Sequence, residues 1–318
     1  MSIVRHAVPL ALGASLLLSG CGAFSDDVEV DQTRITASFY PLAYAAERVA
    51  GDHFEVINLT QPGVEPHDLE LSVRQTAQVA DARLVVYSTG IQSAVDKAVE
   101  QNAAGDVLDA AEVITLREYG AEHDHGDEHG DEEHDHEHHE GHDHDHGEHD
   151  PHFWLDPLLM ADFADAIADR LADIDPDHAA DYTANAEAFR TELEQLDAAY
   201  ADGLANCQRH LVVVNHDAFG YLARYGLEFE SITGLSPGAE PTASEKARIQ
   251  DLIRAEGLTT VFSETLASKK SAESMAADLG ITTGVLDPIE GPGDANSSDD
   301  YVSLMEKNLE ALKEANAC

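Results

Sequence analysis

Residues 34–50, RITASFYPLAYAAERVA, combine a short apolar strand at 34–39 with an amphipathic helix at 42–50. The same order follows further along the chain. Two more strands are predicted at 54–59 and 84–88, and two more helices at 72–80 and 92–101. Strands that alternate with helices are typical of a parallel sheet in an α/β domain, so the first half of the chain is predicted to form one.

The second half repeats this pattern after Cys207. Strands are predicted at 210–214, 229–233, 260–262 and 281–286, with helices from 218, at 244–256, at 269–279 and from 301. Between the halves, apolar residues recur at helical spacing, namely Tyr182, Ala186, Phe189, Leu193, Leu196 and Tyr200. The sequence therefore predicts two α/β lobes with parallel sheets, at 33–175 and 206–318, joined by one long rigid helix at 176–205.

The first 20 residues have the order of a secretory signal peptide. A cationic start at Arg5 precedes an apolar run at 7–18, and the sequence LSGC follows at 18–21. LSGC resembles the bacterial lipobox, which implies a lipid on Cys21 that anchors the chain to the outer face of the cytoplasmic membrane. Residues 21–32 are then expected to form a short tether.

With Cys21 assigned to lipid, Cys207 and Cys318 form an even pair in an oxidising compartment. Neither cysteine has a second metal ligand at short spacing, which disfavours a Cys/Cys metal site. A disulfide between them is the prediction.

The chain is strongly acidic, with a net charge of -44 and only 18 Lys and Arg residues. This balance excludes a nucleic-acid partner, because few side chains could neutralise a phosphate backbone. A tract at 123–149 contains only His, Asp, Glu and Gly, so a disordered loop is predicted at 121–150. Its histidines are expected to bind divalent metal weakly; they are His123, His125, His129, His134, His136, His138, His139, His142, His144, His146 and His149.

Four other residues are candidates for an ordered metal site. His67 lies in a turn after the strand at 54–59, His216 follows the strand at 210–214, and Asp287 follows the strand at 281–286. Ligands of parallel α/β sheets bind beyond the carboxyl ends of the strands, so these residues could converge on the cleft between the lobes. His152 lies in the sequence DPHFWLDP that follows the acidic tract.

Five short motifs carry a resemblance to a known family. They are SFYP at 38–41, PHD at 66–68, HFWLDP at 152–157, NHDAFGY at 215–221 and LDP at 286–288. In this order they resemble the zinc and manganese solute-binding proteins of ABC importers, specifically the high-affinity zinc-uptake type. The resemblance implies His67, His152 and His216 as metal ligands. The fourth ligand is Asp287 by the family pattern, with Glu65 or a water as alternatives.

The identity of the third ligand favours zinc. Manganese members of this clade generally carry an acid at the position of His216. Three neutral imidazoles with one carboxylate suit borderline-soft, tetrahedral Zn²⁺ better than oxygen-preferring Mn²⁺. The resemblance thus implies a monomer that captures Zn²⁺ outside the cytoplasmic membrane and delivers it to an ABC permease with its ATPase.

Other functions remain open at this point. A manganese-binding importer component, a metal-binding adhesin and an extracytoplasmic zinc buffer would share many of these features. Three histidines and a water also describe a hydrolytic zinc enzyme. No His-Glu-x-x-His pair and no evident Ser/His/Asp or Cys/His set occurs in the sequence, so the prediction is that the chain is not an enzyme.

Overall fold

The structure is a computed structural model that describes residues 29–119, 149–235, 237–294 and 297–318. The predicted signal peptide, the lipidated Cys21 and the ten candidate histidines between 123 and 146 lie outside the described residues. The predictions for those segments stay predictions.

The first half of the chain forms a four-stranded parallel sheet. Its strands are β1 (Asp31–Ala37), β2 (Glu55–Asn58), β3 (Ala82–Tyr87) and β4 (Asp106–Asp109), and its helices are α1 (Tyr40–Ala50), α2 (Val73–Asp81), α3 (Ser93–Asn102) and α4 (Ala110–Val113). The strand order is β2-β1-β3-β4. Local sequence fixes the helix starts: Pro41 lies in the first turn of α1, and Ser72 and Gln75 cap α2 reciprocally.

Two antiparallel helices follow, α5 (Pro157–Ile174) and α6 (Ala179–Leu204). Asp156 caps α5 by accepting hydrogen bonds from the backbone N–H groups of Leu158 and Leu159, at 2.9 and 3.4 Å. The apolar stripe predicted for the long helix is buried along its whole length in α6, where it contacts α1, α5 and the last helix of the chain. One face of this helix therefore packs against the core, and the opposite face is exposed.

A second four-stranded parallel sheet follows α6. Its strands are β5 (Leu211–Val214), β6 (Glu228–Ser231), β7 (Thr260–Ser263) and β8 (Thr282–Val285), and its helices are α7 (Ala243–Glu256), α8 (Lys270–Leu279) and α9 (Tyr301–Asn316). The strand order, β6-β5-β7-β8, matches that of the first sheet. One apolar cluster includes residues of both lobes and of α6, so the two lobes share a continuous core.

These observations confirm the predicted fold class: two α/β lobes with parallel sheets and one long helix between them. The lobe boundaries stay predictions, although α6 begins three residues later than the predicted 176. The disulfide between Cys207 and Cys318 is present and ties the end of the chain to the segment between α6 and β5. This prediction is confirmed.

Four elements differ from the predictions. β4, α4 and α5 were not predicted, and the helix expected from residue 218 is a 3-10 turn at Gly220–Tyr225. Strand β4 has the sequence DVLD, which is too short and too polar at its ends for a clear strand pattern. The predicted loop also ends too late, because Asp150 is 2% exposed. His149 is exposed and forms an antiparallel bridge with Glu118.

None of the helices in the described part of the chain is long and apolar enough to cross a membrane.

Candidate metal centre

Three histidines and one glutamate converge between the lobes. His67, His152, His216 and Glu290 each offer a ligand atom, and these atoms all lie within 4.8 Å of one another. The Nε2 atoms of the three histidines lie 3.1, 3.4 and 3.7 Å from Glu290 Oε1, in that order. No other such group of His, Cys, Asp or Glu occurs among the described residues.

The two sheets supply most of this cluster from their carboxyl edges. His67 lies on a 3-10 turn, Pro66–Asp68, that follows β2, and the side chain of Glu65 caps that turn by accepting from His67 N at 3.3 Å. His216 lies two residues beyond β5, and Glu290 lies on the segment that follows β8. The arrangement places donors from both lobes at the edge where α/β proteins bind ligands.

His152 enters from a different direction. It directly precedes the 3-10 turn Phe153–Leu155, which leads into α5. Phe153 and Trp154 are fully buried, and the Trp154 ring packs edge-on against the rings of His152 and Phe39. This aromatic packing holds the backbone that carries His152.

Two carboxylates orient the imidazole rings. Asp150 Oδ1 lies 2.8 Å from His152 Nδ1 and also accepts a hydrogen bond from His152 N at 3.0 Å. Glu264 Oε1 lies 2.8 Å from His216 Nδ1 and accepts from His216 N at 3.0 Å. Carboxylates on Nδ1 fix the ring orientation and increase the basicity of the other nitrogen, so each Nε2 faces Glu290 as a metal donor would.

The pKa values in the cluster follow from burial and from these contacts. Burial alone lowers the pKa of His152, but the Asp150 and Glu290 carboxylates outweigh it and raise that pKa to about 9. Burial opposes the charged form of His216 too, yet Glu264 and Glu290 raise its pKa well above the usual value. Burial disfavours ionised Glu290, but the three histidines hold its pKa well below its usual range. The cluster therefore holds an ionised carboxylate beside the two imidazoles, of His152 and His216, whose basicity is raised.

The cluster has the chemistry of a cation site. His152 and His216 are fully buried, and Glu290 is 1% exposed. Glu290 Oε2 has no hydrogen-bond partner within the described residues. A buried carboxylate oxygen without a partner is costly unless something else satisfies it. Three imidazole nitrogens and one carboxylate oxygen are the donor set of a closed, four-coordinate zinc site.

Asp287 lies elsewhere. The structure brings together His67, His152 and His216, but Asp287 is not part of the group that they form with Glu290. The Asp287 carboxylate instead accepts hydrogen bonds from the Thr265 hydroxyl and from Ile289 N. Its side chain is therefore used within its own loop, three residues before the acid that reaches the histidines.

Glu65, the alternative fourth ligand, is also outside the four-residue group. Its Oε1 accepts a hydrogen bond from His67 N at 3.3 Å. Burial, and then the charge of Glu290, raise its pKa to about 8 in the metal-free chain. Sequence reasoning missed Glu290, although an acid three residues after Asp287 was visible in LDPIEG at 286–291.

Two of the known proteins that this chain resembles have a similar identity to it. The chain is 35% identical over 320 residues to the zinc-binding lipoprotein AdcA of Streptococcus pneumoniae and 34% identical over 312 residues to the high-affinity zinc uptake system protein ZnuA of Bacillus subtilis. Both matches include 94% of this chain. The chain spans 60% of the length of the first relative and 94% of the second.

A solved structure has the same fold. The Zn(II)-bound ZnuA-like domain of Streptococcus pneumoniae AdcA matches with a TM-score of 0.73 and 31% sequence identity, over 91% of this chain and 100% of that one. The family described as zinc-uptake complex component A, periplasmic, matches residues 35–315. On the extent of that match and on these relatives, this chain belongs to the ZnuA family.

Proposed function

We propose that this chain is the extracytoplasmic zinc-binding component of an ABC importer, which captures Zn²⁺ and delivers it to a membrane permease with its ATPase. The observation that carries the proposal is the buried cluster of His67, His152, His216 and Glu290. Zinc is the cargo of this site and not a resident cofactor. The ligand roles of these residues, with Glu290 in place of Asp287, are part of the proposal.

The donor set supports zinc over manganese. Manganese prefers several oxygen ligands, whereas this cluster offers three imidazole nitrogens and one carboxylate. The names of the relatives agree with that preference, because AdcA is named as a zinc-binding lipoprotein and ZnuA as a zinc uptake protein. A closed set of four protein donors also leaves no position for a reactive water, which favours transport over hydrolysis.

Two features support an extracytoplasmic location for the chain: its family and the first residues of its sequence. The family description places its members in the periplasm. We propose that residues 1–20 are removed as a signal peptide and that a lipid on Cys21 holds the monomer at the outer face of the cytoplasmic membrane. The net charge of -44 would attract divalent cations toward the protein. The histidines of the tract at 123–149 would add weaker zinc binding.

We expect zinc affinity to rise with pH from about 6.5 to about 9. The ligand nitrogen of a protonated imidazole must lose its proton before it binds metal, and the pKa of His152 is raised to about 9 in the metal-free chain. Below this pKa, zinc must displace a proton from the imidazole before it can bind. For each proton displaced, the apparent zinc affinity falls about tenfold with every unit by which the pH decreases. Competition titrations with a chelator across this range would measure the slope. An affinity that is constant from pH 7 to 9 would contradict the expectation.

The same pKa shift predicts the opposite trend for the stability of the metal-free chain. A histidine whose pKa is higher in the folded state stabilises that state at low pH, and the contribution disappears as pH rises through the folded pKa. Denaturant unfolding with excess chelator should therefore show lower stability at pH 9 than at pH 7. If zinc binding weakens at lower pH while the metal-free chain becomes more stable, unfolding cannot be the cause of the weaker binding. Proton competition at the site then explains it.

Zinc-dependent growth tests the function. Bacteria that lack their own zinc-binding importer component would receive this chain, its His216→Ala variant or its His210→Ala variant, and would grow with zinc limited by a chelator. His210 is an exposed histidine outside the cluster, so its variant is the matched control. We expect the intact chain and the control to restore growth and zinc uptake and His216→Ala to fail. Equal uptake with His216→Ala would overturn the proposal.

A further inference from the structure

We propose that Asn308, acting through Asp287, is a positioning residue that sets the Glu290 carboxylate against the three histidines. This inference rests on the proposed function, because it assumes that Glu290 is a zinc ligand. It assigns a role to a buried amide on α9 that does not itself touch the metal cluster. The hydrogen bonds of the segment from Asp287 to Glu290 support this role.

Asn308 holds both backbone polar groups of Asp287. Asp287 N donates to Asn308 Oδ1 at 2.8 Å, and Asn308 Nδ2 donates to Asp287 O at 2.6 Å. Asn308 is 2% exposed. A side-chain amide that pairs with both groups of one residue imitates a neighbouring strand, and it fixes the direction in which the chain leaves β8.

The Asp287 side chain then fixes the residue before Glu290. Its Oδ1 accepts a hydrogen bond from Ile289 N at 2.7 Å, and its Oδ2 accepts from the Thr265 hydroxyl. Ile289 has a backbone φ of 60° and is fully buried. A β-branched residue rarely adopts this left-handed conformation, and it persists only where the surroundings impose it. The hydrogen bonds of Asp287 are part of that constraint.

The other lobe restrains the same segment on both sides of Glu290. Trp154 Nε1 donates to Pro288 O at 2.7 Å, and Gly63 N donates to Pro292 O at 2.9 Å. Both donors lie in the first half of the chain, whereas Asn308 and Thr265 lie in the second. Glu290 therefore lies on a short segment that is held by hydrogen bonds from both lobes.

The position of a flexible glutamate depends on such support. A glutamate side chain has several rotatable bonds, so it can bind a metal in a defined geometry only if its backbone is held in place. Loss of the partners that support a ligand typically lowers metal affinity by about 10- to 100-fold. We expect loss of Asn308 to act in this way and to leave the histidines in position.

A double-mutant cycle tests the inference. Zinc affinity would be measured by chelator competition for the intact chain, Asn308→Ala, Glu290→Gln and the double variant. We expect Asn308→Ala to weaken zinc binding by about 10-fold or more. In the Glu290→Gln background, the same replacement should change affinity by less than about twofold, because the positioned carboxylate is already gone.

Asn316→Ala is the matched control. Asn316 is also a buried asparagine on α9, and its Nδ2 donates to Leu312 O at 2.9 Å, far along the helix from Asp287. We expect this variant to keep the zinc affinity of the intact chain. The cobalt-substituted Asn308→Ala protein should also show altered d–d absorption, whereas cobalt-substituted Asn316→Ala should not.

Three results would overturn the inference. The first is that Asn308→Ala keeps the full zinc affinity of the intact chain. The second is that Asn308→Ala weakens zinc binding by the same factor in the intact chain and in the Glu290→Gln background. The third is that the control variant Asn316→Ala weakens zinc binding as much as Asn308→Ala does. If Glu290→Gln itself keeps full affinity, the ligand role in the proposed function fails first, and the inference fails with it. Thr265→Val removes only the hydroxyl that supports Asp287, so it repeats the cycle if Asn308→Ala does not fold.

Discussion

Replacement of His152 by Ala is expected to lower zinc affinity by about two to three orders of magnitude. The binding free energy of a four-ligand zinc site is on the order of 10–16 kcal/mol, so one ligand accounts for about 2.5–4 kcal/mol. A tenfold change in affinity corresponds to about 1.4 kcal/mol. His152 is fully buried and held by Asp150, and alanine leaves no donor that could replace its Nε2. The same loss is expected for His67→Ala and His216→Ala.

Isothermal titration calorimetry with a competing chelator would measure these affinities. His210→Ala is again the control, because His210 is exposed and its Nδ1 lies 3.0 Å from Gly226 O, outside the cluster. Thermal unfolding in the absence of zinc should show that each variant is folded. If a triple replacement of the three histidines left the tight binding phase unchanged, the whole site assignment would be wrong.

Removal of the disulfide is expected to cost about 2–5 kcal/mol of unfolding free energy. The bond between Cys207 and Cys318 closes a loop across 111 positions and holds the end of α9 beside the segment that leads into β5. Without it, the unfolded chain gains conformational freedom, and the C-terminal end of α9 keeps only noncovalent contacts. The double variant Cys207→Ser/Cys318→Ser, unfolded by urea, would measure the loss.

The zinc site gives an internal control for that variant. The disulfide lies at the far end of α9 from Asn308 and touches none of the four candidate ligands, so zinc affinity should survive wherever the fold does. Unchanged urea stability of the double variant would show that the cross-link does not stabilise the native state. Recovery of both cysteines as alkylatable thiols in the native, non-reduced protein would show that it does not form.

The sequence predicted the architecture well because apolar periodicity reports burial directly. The stripe from Tyr182 to Tyr200 is buried at every predicted position, and it belongs to the long helix α6. Helix α5 carries the same kind of signal, since Met160, Phe163 and Ile167 are buried at helical spacing, so this helix could have been predicted. The strand β4 could not, because a four-residue DVLD segment becomes a strand only beside β3.

The site was predictable only in part. His67 and His216 follow strands, and the carboxyl edge of a parallel sheet brings such residues together without further information. Glu290 is different, because its side chain reaches the histidines only after the chain turns at Ile289. The segment before that turn is held by hydrogen bonds of Asp287 with Asn308 and Thr265, which are distant in sequence. Asp287 sits nearer to its strand in sequence, yet its carboxylate is directed to Ile289 N.

One zinc ion is expected to bind between the lobes, on His67, His152, His216 and Glu290. Anomalous diffraction recorded on both sides of the zinc absorption edge, from crystals grown with one equivalent of zinc, tests it most directly. A single strong peak is expected at bonding distance from the three Nε2 atoms and from the Glu290 carboxylate. A peak on Asp287 with Glu290 turned away, or no peak between the lobes, would contradict it.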